Sequence, residues 1–145
     1  MAKLLGTPYE RGKSDAFVSR KPTGGTPIEE GLFVKQGVEG FVSLTTATAP
    51  AAAWGVMGQQ ESIACGVVIS GLKVAVQLTD GITPAAGETV FVNDLNNKAT
   101  NILDTDNFAT AATFTGVIGN DGRSDNTSTK STNKRWAEIN MPNGL

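Results

Sequence analysis

The sequence predicts an all-β protein: a small antiparallel β-barrel or jelly-roll-like sandwich with an extended N-terminal arm. Three observations carry this. From Leu72 to Thr79, apolar and mostly polar positions alternate without a break until Asp80-Gly81. A period of two puts Leu72, Val74, Val76 and Leu78 on one face of a strand, with Lys73, small Ala75, Gln77 and Thr79 on the other. Similar short runs recur along the chain with turn residues between them. Finally, the 145 residues include 17 glycines and 6 prolines and are rich in Thr, Ala and Asn, which favours turns over long helices.

Residues 1–30 are expected to form the arm. Gly6-Thr7-Pro8, Gly12 and the stretch from Pro22 to Pro27 break them up. Leu4, Leu5, Tyr9, Phe17, Val18 and Ile28 make them too apolar for a solvated tail. Such an arm becomes ordered against its own body or a neighbour. The body, residues 31–145, opens with two strands, 32–35 and 41–46. The Ala/Thr tract around Pro50 reads as a loop, because Pro50 and the nearby glycines leave no room for a helix. The apolar segments 54–57 and 63–69 read as strands, followed by 72–79. Thr83-Pro84-Ala85-Ala86-Gly87 links to a strand over 88–93, with Val90 and Val92 on one face. Asp94-Leu95-Asn96-Asn97 is a hairpin signal, since Asn and Asp tolerate left-handed backbone. Residues 98–103 return beside the previous strand. A further strand covers 113–118 and stops at Gly119-Asn120-Asp121-Gly122. The polar stretch 123–133 reads as a surface loop, and 135–141 as the last strand.

This length suits one domain, which can bury about two-thirds of its unfolded surface without staples. No run of residues is long and apolar enough to span a bilayer, and the N-terminus has no secretory h-region. Cys65 is the only cysteine, so no intrachain disulfide forms. Its apolar setting reads as a small buried hydrophobe. The chain has no histidine, which removes Ser-His-Asp and Cys-His catalysis and the commonest zinc ligand. Its glycine pairs lack the Lys-Ser/Thr ending of a P-loop. Asp104-Thr105-Asp106, Asp121 and Asp125 could offer oxygens to calcium, but without the EF-hand frame. Glu29-Glu30 and Glu61 with Glu88 are carboxylate pairs of the kind a glycosidase uses, and nothing places either pair in a cleft. The expectation is therefore no enzyme, no cofactor and no metal.

Charge is uneven along the chain. Residues 1–21 carry Lys3, Arg11, Lys13, Arg20 and Lys21 against Glu10 and Asp15, a net of plus three. Residues 36–108 carry two lysines against seven acidic residues, a net of minus five. A basic arm on an acidic body suits an acidic protein surface, nucleic acid or plain solvation. Trp54 and Trp136 read as core, and as strong anchors if either faces outward.

The run from Gly71 to Thr100 resembles phage head-decoration proteins, also called structural cement proteins. The resemblance lies in the alternating strand, the Thr83–Gly87 lead-in, the Glu88–Asn93 strand and the Asx-rich hairpin ending in Lys98-Ala99-Thr100. Gly31–Val34, Ala52–Val56, Phe114–Gly119 and Trp136–Met141 fit the same order, so the resemblance covers residues 31–141. It implies a small β-barrel or jelly-roll-like protein on the outer capsid surface of a virion, made in the host cytoplasm. Such proteins sit between subunits of the major capsid protein and stabilise the head, often as homo-oligomers (dimers or trimers). They use no cofactor, catalyse nothing, and bind neither nucleic acid directly nor membrane. The expected capsid and partner interface is Leu4, Leu5, Tyr9, Arg11, Lys13, Phe17, Arg20, Lys21 and Trp54. A carbohydrate- or surface-binding β module of a tail or fibre assembly is the alternative, and a subunit of some other self-assembling structure is a third reading.

Overall fold

Among the residues described by the computed structural model, every regular element is a β-strand. The structure describes residues 8–10, 16–22, 28–36, 41–44, 53–61, 64–93, 96–105, 107–121 and 134–145. For 8–10, 16–22, 41–44 and parts of four other strands it describes the backbone alone. The strands are β1 (Pro8–Glu10), β2 (Ala16–Pro22), β3 (Phe33–Gln36), β4 (Phe41–Leu44), β5 (Ala53–Glu61), β6 (Ala64–Gln77), β7 (Thr89–Asn93), β8 (Ala99–Thr100), β9 (Asn107–Asp121) and β10 (Lys134–Met141). Of the loops expected at 47–53 and 123–133 and the link expected at 36–40, Gln36 instead ends β3 and Ala53 begins β5, and the rest lie outside the described residues.

All ten strands belong to one sheet that curls nearly into a barrel. Named strands pair antiparallel, except that β2 and β4 run parallel. The 14-residue β6 is the spine. Its first half pairs with β5 and β2, and the path β2–β4–β3–β5 joins those two flanks. Its second half pairs with β10 and β1. From β10 the sheet continues through β9, β7 and β8, and a parallel bridge from Ala99 to Leu78 returns it to the end of β6. Two circuits of strands thus share one spine. The two runs read from sequence as separate strands, 63–69 and 72–79, are continuous.

One apolar core fills both circuits. Phe33, Val56 and Val68 join Val74, Val76, Leu78, Val90, Val92, Phe108, Phe114, Ile139 and Met141 in a single cluster. Ile28, Leu32, Val34 and Val67 form a second cluster with Ile69 against it. Neighbouring Val67 and Val68 point to different clusters, so this half of β6 is buried on both faces, as its unbroken apolar run suggests.

The second half of β6 departs from the alternation. Val74, Val76 and Leu78 are in the core, as expected. Ala75 and Gln77 are buried too, at 0% and 1% exposure, although the pattern puts them outside. Segment 28–32 covers Gln77. Its backbone N–H donates to Gly31 O at 2.9 Å, and its side-chain Nε2 donates to Glu30 O at 2.8 Å and to Glu29 Oε2 at 3.2 Å. Phe33 N–H donates to Asn97 O at 3.0 Å, so the same segment is tied to the β7–β8 hairpin. It packs into the seam that the single Leu78–Ala99 bridge leaves.

Curvature comes from bulges filled by side chains. Thr89 pairs with Thr113 and Phe91 with Ala109, so β9 carries two extra residues there. Thr110 Oγ1 accepts the Ala112 N–H at 3.1 Å and donates to Val90 O at 2.8 Å. A second bulge follows, where Ala137 pairs with Ile118 and Ile139 with Phe114. Thr115 Oγ1 accepts the Val117 N–H at 3.3 Å and donates to Glu138 Oε1 at 3.0 Å. Gly116 sits there at φ +91°, close to Ala86, where a side chain would be strained. On the other side of β10, Leu72 and Lys73 oppose Asn140, and Asn140 Oδ1 accepts the Lys73 N–H at 2.9 Å.

Candidate functional site

The loops at the far end of β6 form a braced surface. Thr79 N–H donates to Ala99 O at 2.9 Å, and the parallel bridge sets Asp80-Gly81 alongside Thr100-Asn101. Arg135 holds this turn from below. Its Nη1 donates to Thr79 O at 3.1 Å and its Nη2 to Ile82 O at 2.7 Å. Residues 85–88 dock on β9 through Gly87 N–H to Phe114 O at 2.8 Å and Phe114 N–H to Glu88 O at 2.9 Å.

Glu88 joins the two loops. Its Oε2 accepts from Asn101 Nδ2 at 2.8 Å and from the Ala85 N–H at 3.1 Å. The Asn101 amide and the Ala85 N–H hold its carboxyl below the ordinary carboxylate value, since both bonds favour the charged form. β8 ends after Thr100, whose Oγ1 takes the Ile102 N–H at 3.2 Å. Asn107 Nδ2 donates to Ile102 O at 3.1 Å. The loop is therefore fixed at both of Ile102's backbone groups.

This bracing holds apolar side chains outward. Ile102 is 47% exposed and Leu103 is 78% exposed. Asp80, Glu88 and Asp104 are exposed as well: Asp104 follows the pair in sequence, Glu88 is bonded to Asn101, and Asp80 lies in the turn that Arg135 braces. The result is an exposed apolar pair on a fixed loop. It suits recognition of another surface, and its rigidity lowers the ordering cost of binding. Val117, also 47% exposed, stands on β9.

The expected interface residues fall elsewhere. Tyr9 lies in β1, between positions in register with Val74 and Leu72. Phe17 and Arg20 lie in β2, in register with Val68 and Cys65, and Lys21 with Phe41. The backbone thus strings Tyr9, Phe17 and Arg20 along β6. Trp54 is in β5, which pairs with β6 on the flank opposite β2. Leu4, Leu5, Arg11 and Lys13 lie outside the described residues. Trp136 is 6% exposed, packed on Ala75, and its ring fills the space a side chain at Gly119 would need.

Among the carboxylates, Glu29 bonds Gln77 and Glu30 is buried in the seam. Glu61 and Glu88 lie in different circuits of the sheet. Among the described residues, no three His, Cys, Asp or Glu side chains are grouped to hold a metal. The sequence reading missed Ile102 and Leu103 by extending the return strand through them. The polar run Asp104-Thr105-Asp106 directly behind them was the available signal of a loop.

Comparison with protein-family models and with curated proteins gives no match for this chain.

Proposed function

We propose that this chain is a phage virion structural protein that decorates and cements the outer capsid surface, bridging subunits of the major capsid protein. The observation that supports it best is the braced Ile102–Leu103 loop, a ready-made contact on a stiff barrel. The resemblance over residues 31–141 supports the same reading. Cementing needs a body that does not deform and several separate contacts that reach different neighbours. Each contact can be weak, because an array of copies binds multivalently. The basic N-terminal stretch, which has Tyr9, Phe17 and Arg20 on strands along β6 and Leu4, Leu5, Arg11 and Lys13 near them in sequence, supplies a further contact.

The test is to add the purified protein to expanded phage heads that lack it. Saturable co-sedimentation, antibody labelling on the exterior, and DNA release at a higher temperature are expected. A protein that neither sediments with heads nor changes their heat resistance removes the proposal.

A further inference from the structure

We propose that two copies of this chain join through residues 115–121 of β9, edge to edge and antiparallel about a two-fold axis, so that the sheet of one copy runs on into the other. On the β7 side, strand pairing stops at Thr113. The segment before β7 reaches only a little further, through Gly87 N–H to Phe114 O and through Ala86, which lies 3.2 Å from where a side chain at Gly116 would begin. Past that point, among the described residues, β9 pairs with β10 alone.

Register fixes which backbone groups face this open side. Gln77 N–H donates to Gly31 O at 2.9 Å, away from β10, and Leu78 N–H donates to Arg135 O at 3.0 Å. Arg135 and Ala137 therefore turn their backbone groups to β6, and Trp136 turns its own to β9, where Gly119 stands opposite. Ile118 and Asn120, on either side of Gly119, then turn their N–H and C=O groups away from β10, into the open edge. The Val117 N–H is met within its own strand by Thr115 Oγ1 at 3.3 Å.

This edge fits its own copy. Residues 109–120 carry no charge, and the stretch has neither the lysine nor the proline that commonly guards an edge. With Ile118 opposite Ile118 of the second copy, the two exchange both backbone bonds. In that register Asp121 falls opposite Thr115 and not opposite its own duplicate. Val117 is 47% exposed, on the face opposite to that of Ile118, which packs against the core. It falls opposite Gly119 of the second copy, which has no side chain and lies under the Trp136 ring. Val117 of each copy thus covers the rim of the Trp136 ring of the other. The two-fold uses up both edges, so the pair is closed. A contact this short holds weakly.

Sedimentation equilibrium of the full-length protein without capsid, joined to amide exchange, tests this. A monomer–dimer equilibrium that salt barely alters is expected, since backbone bonds and apolar contact hold it. In a concentrated sample the Ile118 and Asn120 amides should exchange several-fold more slowly than in a dilute one, whereas Gly119, paired with Trp136 of β10, should not change. Asn120→Pro removes an amide that β10 does not use and should give a monomer that melts like the parent. Val117→Lys, a charge set at an exposed position beside the edge, should do the same. A protein monomeric at every concentration leaves the edge to a strand of some other protein and overturns the inference. A trimer, a dimer that survives both substitutions, or an Ile118 amide indifferent to concentration overturns it as well. None of these readouts involves phage heads, so this inference and the capsid reading stand or fall separately.

Discussion

Single threonines and asparagines shape this protein. Thr100, Thr110 and Thr115 each take the N–H two residues ahead, and Asn96 Oδ1 takes that of Lys98 at 3.0 Å. These local bonds replace ladder bonds that a bulge or strand end gives up. The richness in Thr and Asn, read from sequence only as turn propensity, is therefore also what lets the strands bend. That role was not legible in advance, since a threonine at a bulge looks like any strand threonine until its register is known. Thr110→Val preserves shape but leaves the Ala112 N–H and the Val90 carbonyl without this partner. It should lower unfolding free energy by about 1–3 kcal/mol in a urea titration. Glu88 gives a pH effect of known sign. Its folded value lies below the ordinary 4.5, so its contribution is present above that value and is lost as pH falls through the depressed one. Glu88→Gln should therefore be less stable than the parent at pH 7, and the gap should close in strong acid. Thermal melts across that range check it. The stability difference is screened by water, because the carboxylate is exposed.

Most strands were readable and their lengths were not. The alternations at 88–93 and 135–141 became β7 and β10 within a residue or two. β9 begins at Asn107, well before the expected 113, because Ala109, Ala111 and Ala112 dilute the β signal. Its inward positions nonetheless alternate, since Phe108, Ala112 and Phe114 are all in the core. β8 is only two residues long, and Thr100 Oγ1 takes the Ile102 N–H just past its end. β6 matters most, because both circuits hang on it. Leu78, just past its end, is 1% exposed beside the bridge that closes the second circuit. Leu78→Ala should cost about 2–5 kcal/mol by opening a cavity at that seam. Amide exchange should then quicken first at Ala99 and Thr79. Uniform exchange across all strands would show that the seam is not a separate weak point.

For the molecule as a whole, the fold class was legible and the route of the chain was not. Periodicity announces strands but not their partners, so nothing local foretold that β6 would carry four neighbours. The outward face of β6 was misread for the same reason. Gln77 is polar, yet segment 28–32 folds over it, and only the long-range path reveals that cover. The surface at Ile102 and Leu103 was hidden by the assumed length of a strand. The circuits leave one more result. Among the described strands, β1 pairs along a single flank, and so do residues 115–121 of β9, which pair with β10 alone. Such stretches are rows of amides and carbonyls on which another chain can extend a sheet. Crowded copies should therefore join first along these margins, and dilution should part them.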